Sequence, residues 1–163
     1  MPVPGHAPRI ELSARHERWV LALAGVVFLS GLGWLVGHYL LATPDEFGVR
    51  SDPLGPWWLR LHGAAAMGFL VVLGTLLPVH VRRAWQFRLN RRSGATVLTL
   101  AGLLIASGYA LYYVAGEDLR PALGVLHWVL GLAGLPVLAL HVGLGRRAAR
   151  ERRFGRAHRR RGA

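Results

Sequence analysis

Eight histidines punctuate the chain. Five of them, His38, His62, His80, His127 and His141, lie within or at the ends of long apolar stretches, whereas His6, His16 and His158 stand among arginines. Ionisable residues in such stretches are costly and mark function. A neutral imidazole there has two chemistries open to it: it relays a proton, or it offers a ring-nitrogen lone pair to a metal ion. Helical phase groups these residues. At about 100° per residue the step from His62 to His80 is five whole turns, and the step from His127 to His141 returns to within about 40° of one face. Each segment, if helical, turns both of its histidines onto a single stripe.

The elements that must carry these stripes are legible in hydropathy. A transmembrane helix takes about 20 mostly apolar residues, and residues 19–41, 57–80, 94–115 and 121–144 each qualify. Of the 163 residues 53% are hydrophobic and only 17% charged, yet the net charge is +12 and every basic residue is Arg. Disorder is excluded by that hydrophobicity. Four buried helices of a soluble core are excluded because too little polar sequence remains to cover them. The first apolar run exceeds a signal-peptide core and no clean cleavage pattern follows it, so it reads as a retained span.

The arginines assign sides. Seventeen of the twenty lie in the N-terminal segment, in the 82–92 connector or beyond residue 145, whereas the other two connectors hold Asp45, Glu46, Asp52, Glu117 and Asp118. Positive loops stay in the cytoplasm, which puts both termini there. Short connectors make sequential helices antiparallel neighbours. The expectation is an all-α, up-down bundle of four transmembrane helices: a cytoplasmic segment over 1–18, a membrane domain over 19–144 and a basic cytoplasmic tail over 145–163. Such a tail suits anionic lipid headgroups or nucleic acid. Topology alone accounts for it, so membrane lipids are expected as partners and nucleic acid is not.

In that topology the second and fourth spans run parallel. His62 lies five residues after Trp57 and His127 six after Pro121, at matching outer depths; His80 and His141 both fall towards the cytoplasm. Two facing stripes make two bis-histidine cavities stacked across the bilayer, an arrangement that suits axial ligation of heme iron. The steps differ, about 27 Å on one helix and about 21 Å on the other. Bends at Pro78 and Pro136, or a tilt between the helices, would absorb the difference. Glycines such as Gly31, Gly63, Gly108, Gly124 and Gly131 either leave room for a flat macrocycle or serve ordinary small-residue packing. With no cysteine, disulfides, thiolate-held clusters and covalently attached c-type heme are excluded.

The segments LRLHGAAAMGFLVVLGTLLPVHVRRAW, NRRSG, SGYALYYVAGEDLR and LHWVLGLAGLPVLALHVGLGRR together resemble the bacterial four-helix b-type cytochromes, relatives of the cytochrome b561-type and formate-dehydrogenase gamma-subunit membrane proteins. The likeness spans about residues 19–147. Its most specific part is His127-Trp128 with His141 fourteen residues on. It implies electron transport in the bacterial inner (plasma) membrane through two non-covalent heme b groups, between quinone or quinol and a periplasmic or membrane redox partner protein. The ligands would be His62 with His127 and His80 with His141. One position departs: where many relatives carry His-Trp at the cytoplasmic start of the first helix, this chain has Arg18-Trp19, which leaves His80 to supply the inner ligand.

Several residues keep two readings. His38 substitutes for an outer ligand or meets a quinone headgroup, or it is an interfacial histidine beside Tyr39. Tyr109, Tyr112, Tyr113 and Glu117 form part of an outer quinone pocket or an aromatic belt. Arg60 and Arg82 suit heme propionates, to which a guanidinium makes charge-assisted bonds. Enzymatic activity would be that of a subunit in a quinone-linked oxidoreductase. Two other functions compete: a cofactor-free anchor or assembly subunit, and a transporter using histidines as proton relays. The spans carry no acidic residue, which weighs against the transporter.

Overall fold

The computed structural model describes residues 13–45, 48–50 and 52–161. His6, Arg9 and Glu46 lie outside the described residues, as do the side chains of 43–50 and of the tail beyond Glu151, His158 included.

The first span is helix α1, Ala14–Tyr39. Ser13 starts it by accepting the His16 backbone N–H on its side chain, which satisfies one of the free donors of the first turn. Beyond α1 a short backbone hairpin pairs β1 (Thr43–Asp45) with β2 (Gly48–Arg50). Helix α2, Gly55–Leu76, begins with Pro56 in its first turn, where the missing N–H costs nothing. It continues as a π-turn over Leu77–Val81 and then as α3, Arg82–Gln86. Pro78 explains the wide turn: without an N–H it cannot complete the α-helical ladder, and its ring crowds the preceding turn.

Arg88 and Asn90 both adopt left-handed backbone, which reverses the chain sharply before α4, Arg91–Tyr113. The last helix, α5, runs from Arg120 to Arg161 without interruption, through Pro136. The basic tail is thus a helical extension of the fourth span. The two prolines behave differently, since only Pro78 changes the helix type.

Four helical segments are long and apolar enough to cross a membrane: Ala14–Tyr39, Gly55–Gln86, Arg91–Tyr113 and Arg120–Glu151. Their burial is inverted relative to a soluble protein. Among the described residues the buried hydrophobics are Val20, Ala65, Leu76 and Ala115, whereas large side chains such as Met67, Val71 and Leu140 are about two-thirds exposed. Apolar surface of that extent needs lipid around it. Apart from the short β1–β2 hairpin the described chain is helical, and it is a multi-pass membrane protein.

Packing divides the bundle into two helical hairpins. Helix α1 packs closely on α2, and α4 on α5, while α1 touches α5 more sparsely. Helices α2 and α5 are not closely packed backbone to backbone. At one end, His16 Nε2 lies 2.9 Å from Thr75 Oγ1, and Arg146 donates to Glu17 at 2.6 Å. These contacts bring the start of α1, the end of α2 and the fourth span's far end together, as up-down connectivity requires.

Candidate functional site

The gap between α2 and α5 is bridged by histidines. The imidazoles of His62 and His127 have centroids 6.1 Å apart with planes at 80°. Those of His80 and His141 are 6.4 Å apart at 85°. Both pairs expected from the sequence are therefore assembled, in the same geometry, at two depths of the bundle. The unequal spacings along α2 and α5 are reconciled partly by the π-turn that carries His80, since a wider turn rises less per residue.

Three of the four rings are held from behind by a neighbouring helix. His62 Nδ1 lies 2.9 Å from the Val27 carbonyl and 3.3 Å from Ser30 Oγ. A carbonyl only accepts, so Nδ1 carries the proton and Nε2, across the ring, keeps its lone pair. His127 Nδ1 lies 2.8 Å from Ser107 Oγ. That hydroxyl spends its own hydrogen on the Leu103 carbonyl at 2.7 Å, so it too accepts from the imidazole. His141 repeats the pattern with Ser93 Oγ at 3.0 Å, the Ser93 hydroxyl being directed to the Asn90 carbonyl. Imidazole ligands of metals are commonly fixed in this way, through the ring nitrogen that does not bind. His80 differs: its Nδ1 is buried and has no hydrogen-bond partner among the described residues.

Glycines seat the same rings. A Cβ added at Gly31 would stand 3.2 Å from His62 Cε1, one at Gly108 3.3 Å from His127 Cε1, and one at Gly94 3.6 Å from His141 Cε1. On α5 itself, Gly124 and Gly131 are three residues before and four after His127, hence on its face, and Gly145 stands likewise beside His141. A Cβ at any of these three would meet nothing within 4 Å. Open space therefore lies beside His127 and His141 on α5 at these positions.

The remaining candidates lie apart from the pairs. Arg60 rests over the Trp57 ring at 4.8 Å, and Arg82 is exposed at the end of the π-turn. His38 stacks on Trp34 at 4.6 Å and meets Tyr39 edge-on at 4.7 Å. With Asp52, Gly55, Pro56 and Leu59, Trp34 and His38 line a cleft of about 260 Å³. His16 is engaged by Thr75 at the opposite end. The tyrosines form an exposed cluster, Tyr109 against Tyr113 at 4.9 Å and Tyr112 against Tyr113 at 5.3 Å. Trp128 Nε1, next to His127, is buried without a partner among the described residues.

No ligand motif marks the serines at Nδ1 in the sequence, although their spacing is a signal. Ser-Gly occurs three times, at residues 30, 93 and 107, and the 14-residue step from Ser93 to Ser107 equals that from His127 to His141. Antiparallel helices with equal steps bring both serines level with both histidines. No family model matches the chain, and neither a curated protein nor a solved structure is significantly similar to it.

Proposed function

We propose that the protein is a di-heme cytochrome b of the bacterial inner membrane, passing electrons across the bilayer between a quinone pool and a partner redox protein. One observation carries the reading. An imidazole–metal bond is about 2 Å and the ring nitrogen stands about 1.1 Å from its centroid, so two imidazoles on opposite sides of one metal have centroids about 6.2 Å apart. The two pairs stand at 6.1 and 6.4 Å. Protonation of His62, His127 and His141 at Nδ1 leaves Nε2 of each free to ligate, and the glycine faces of α5 leave room for a macrocycle.

Heme supplies one-electron chemistry when bound, its iron alternating between ferrous and ferric states. The chain's own residues do the rest. His62 with His127 would hold one heme, and His80 with His141 the other. Within a bilayer the apolar spans would keep water from both pairs. The pairs lie about 21–27 Å apart along the helices, most of the roughly 30 Å hydrocarbon core. Arg60 and Arg82 lie two residues along the chain from His62 and His80, on other helix faces, so they would meet propionates only from the flanks of the pairs. The His38 cleft suits a quinol headgroup: the imidazole and the Asp52 carboxylate are proton acceptors, as quinol oxidation requires. The 17 Arg of the inner side support cytoplasmic termini.

Dithionite-reduced difference spectra of protein purified after expression with ample heme supply test the reading. A b-type band with two hemes per chain is expected. Absence of that band refutes it and leaves the cofactor-free anchor, which predicts that all four histidines are replaceable without loss of partner binding.

A further inference from the structure

The serines behind the rings form a pattern of their own. Each of the three Ser-Gly dipeptides lies on α1 or α4, outside the two helices that carry the histidine pairs. In each the serine Oγ is 2.8–3.3 Å from an imidazole Nδ1. In each the adjacent glycine faces the same ring's Cε1: an added Cβ would crowd it at Gly31 (3.2 Å) and Gly108 (3.3 Å) and make ordinary contact at Gly94 (3.6 Å). Each hydroxyl donates to a carbonyl of its own helix, three or four residues back, so its lone pair is turned to the ring. Ser30 is 1% exposed and Ser107 6%, which makes them the buried polar residues of the described chain. A serine in an apolar helix already satisfies its hydrogen on that carbonyl, so helix stability alone does not call for an imidazole opposite each one.

We propose that Ser30-Gly31, Ser93-Gly94 and Ser107-Gly108 are imidazole clamps. Each serine fixes the Nδ1–H tautomer of His62, His141 or His127, and each glycine admits the ring edge. Among the described residues His80 has no such clamp, so the inner pair has one fixed imidazole where the outer has two. These serines are positioning residues: they act on bound heme through the imidazoles. The electronic part of the inference rests on the di-heme reading. The tautomer part does not.

The strengths of the clamps are ordered by their geometry. His127 depends on Ser107 alone, at 2.8 Å. His62 retains the Val27 carbonyl at 2.9 Å if the longer contact to Ser30 is lost. Ser107→Ala should therefore act strongly and Ser30→Ala weakly. Donation from Nδ1–H raises the basicity of the ligating nitrogen and favours the ferric state, so its loss raises the midpoint potential.

The experiment uses the full chain in nanodiscs, loaded with hemin. Ser107→Ala is expected to speed heme loss from the outer site by about tenfold or more and to raise that centre's midpoint, with Ser107→Thr restoring both. Ser30→Ala is expected to move them less, and the inner site of the wild type to release heme first. In the heme-free chain, nitrogen NMR should find His127 as the Nδ1–H tautomer in the wild type and a mixture of tautomers in Ser107→Ala. Wild-type retention, potential and tautomer in Ser107→Ala would overturn the clamps; faster release from the outer site of the wild type would overturn the assignment of His80. A wild-type chain that takes up no hemin would refute the di-heme reading by itself, with the tautomer measurement then deciding the clamps.

Discussion

The glycines behind the rings offer a graded perturbation whose order is set by distance. Adding one methyl at Gly31 places a carbon 3.2 Å from His62 Cε1 and 3.3 Å from Nδ1. Both lie inside the ordinary van der Waals range of about 3.5–4.0 Å. The ring must give by a few tenths of an ångström, but its Nδ1 is held at 2.9 Å by the Val27 carbonyl. Overpacking of this kind costs about 1–3 kcal/mol, and here it falls on the ring whose centroid stands 6.1 Å from that of His127. Gly108→Ala is nearly as tight, at 3.3 Å from His127 Cε1. Gly94→Ala, at 3.6 Å from His141, makes only normal contact, and Gly102→Ala meets nothing within 4 Å. Heme content per chain, measured with thermal unfolding on the same samples, should therefore fall for Gly31→Ala and Gly108→Ala. It should stay near wild type for Gly94→Ala and Gly102→Ala. Equal losses across all four variants, or full heme content in Gly31→Ala, would refute the argument that these glycines exist to seat the rings.

Other expectations follow from the same geometry. His127→Ala should halve the heme content, and the double variant His127→Ala with His80→Ala should abolish it. The fold should survive the first change, since Ser107 keeps its Leu103 bond and a single lost hydrogen bond is worth only about 1 kcal/mol; pyridine hemochrome assay and unfolding curves separate the two effects. Ring planes at 80° and 85° should give both ferric centres the strongly anisotropic low-spin resonance of near-perpendicular imidazoles, which electron paramagnetic resonance reads directly; rhombic signals from both centres would contradict those angles. Pro78→Ala should let the π-turn relax towards α-helix and rotate His80 away from His141, removing the inner heme while the outer one stays, as heme stoichiometry would record. Arg146→Gln should change thermal stability little, because a surface ion pair such as that with Glu17, whose arginine side chain is 62% exposed, is worth roughly 0–1 kcal/mol.

The number of spans, their alternation and the choice of the four paired histidines were already determined by the sequence. The reason is that hydropathy and helical phase are properties of contiguous residues. A run such as residues 19–41 is apolar whatever surrounds it, and an 18- or 14-residue step sets a helical face before any partner is known. Tertiary structure decided what depends on two elements at once. The separations of 6.1 and 6.4 Å, and the gap kept between α2 and α5, exist only between helices. The π-turn at Pro78 was legible as a disturbance but not in kind, because a proline removes a hydrogen bond without dictating how the chain compensates. Pro136, with the same chemistry, leaves α5 helical. The serines show the boundary most clearly. Their repeated Ser-Gly dipeptide does not by itself name a function, and their equal spacing to the histidines acquires meaning only when antiparallel helices bring Ser93 beside His141 and Ser107 beside His127. Which nitrogen of an imidazole holds its proton is settled by the atom opposite it, and that atom belongs to another helix.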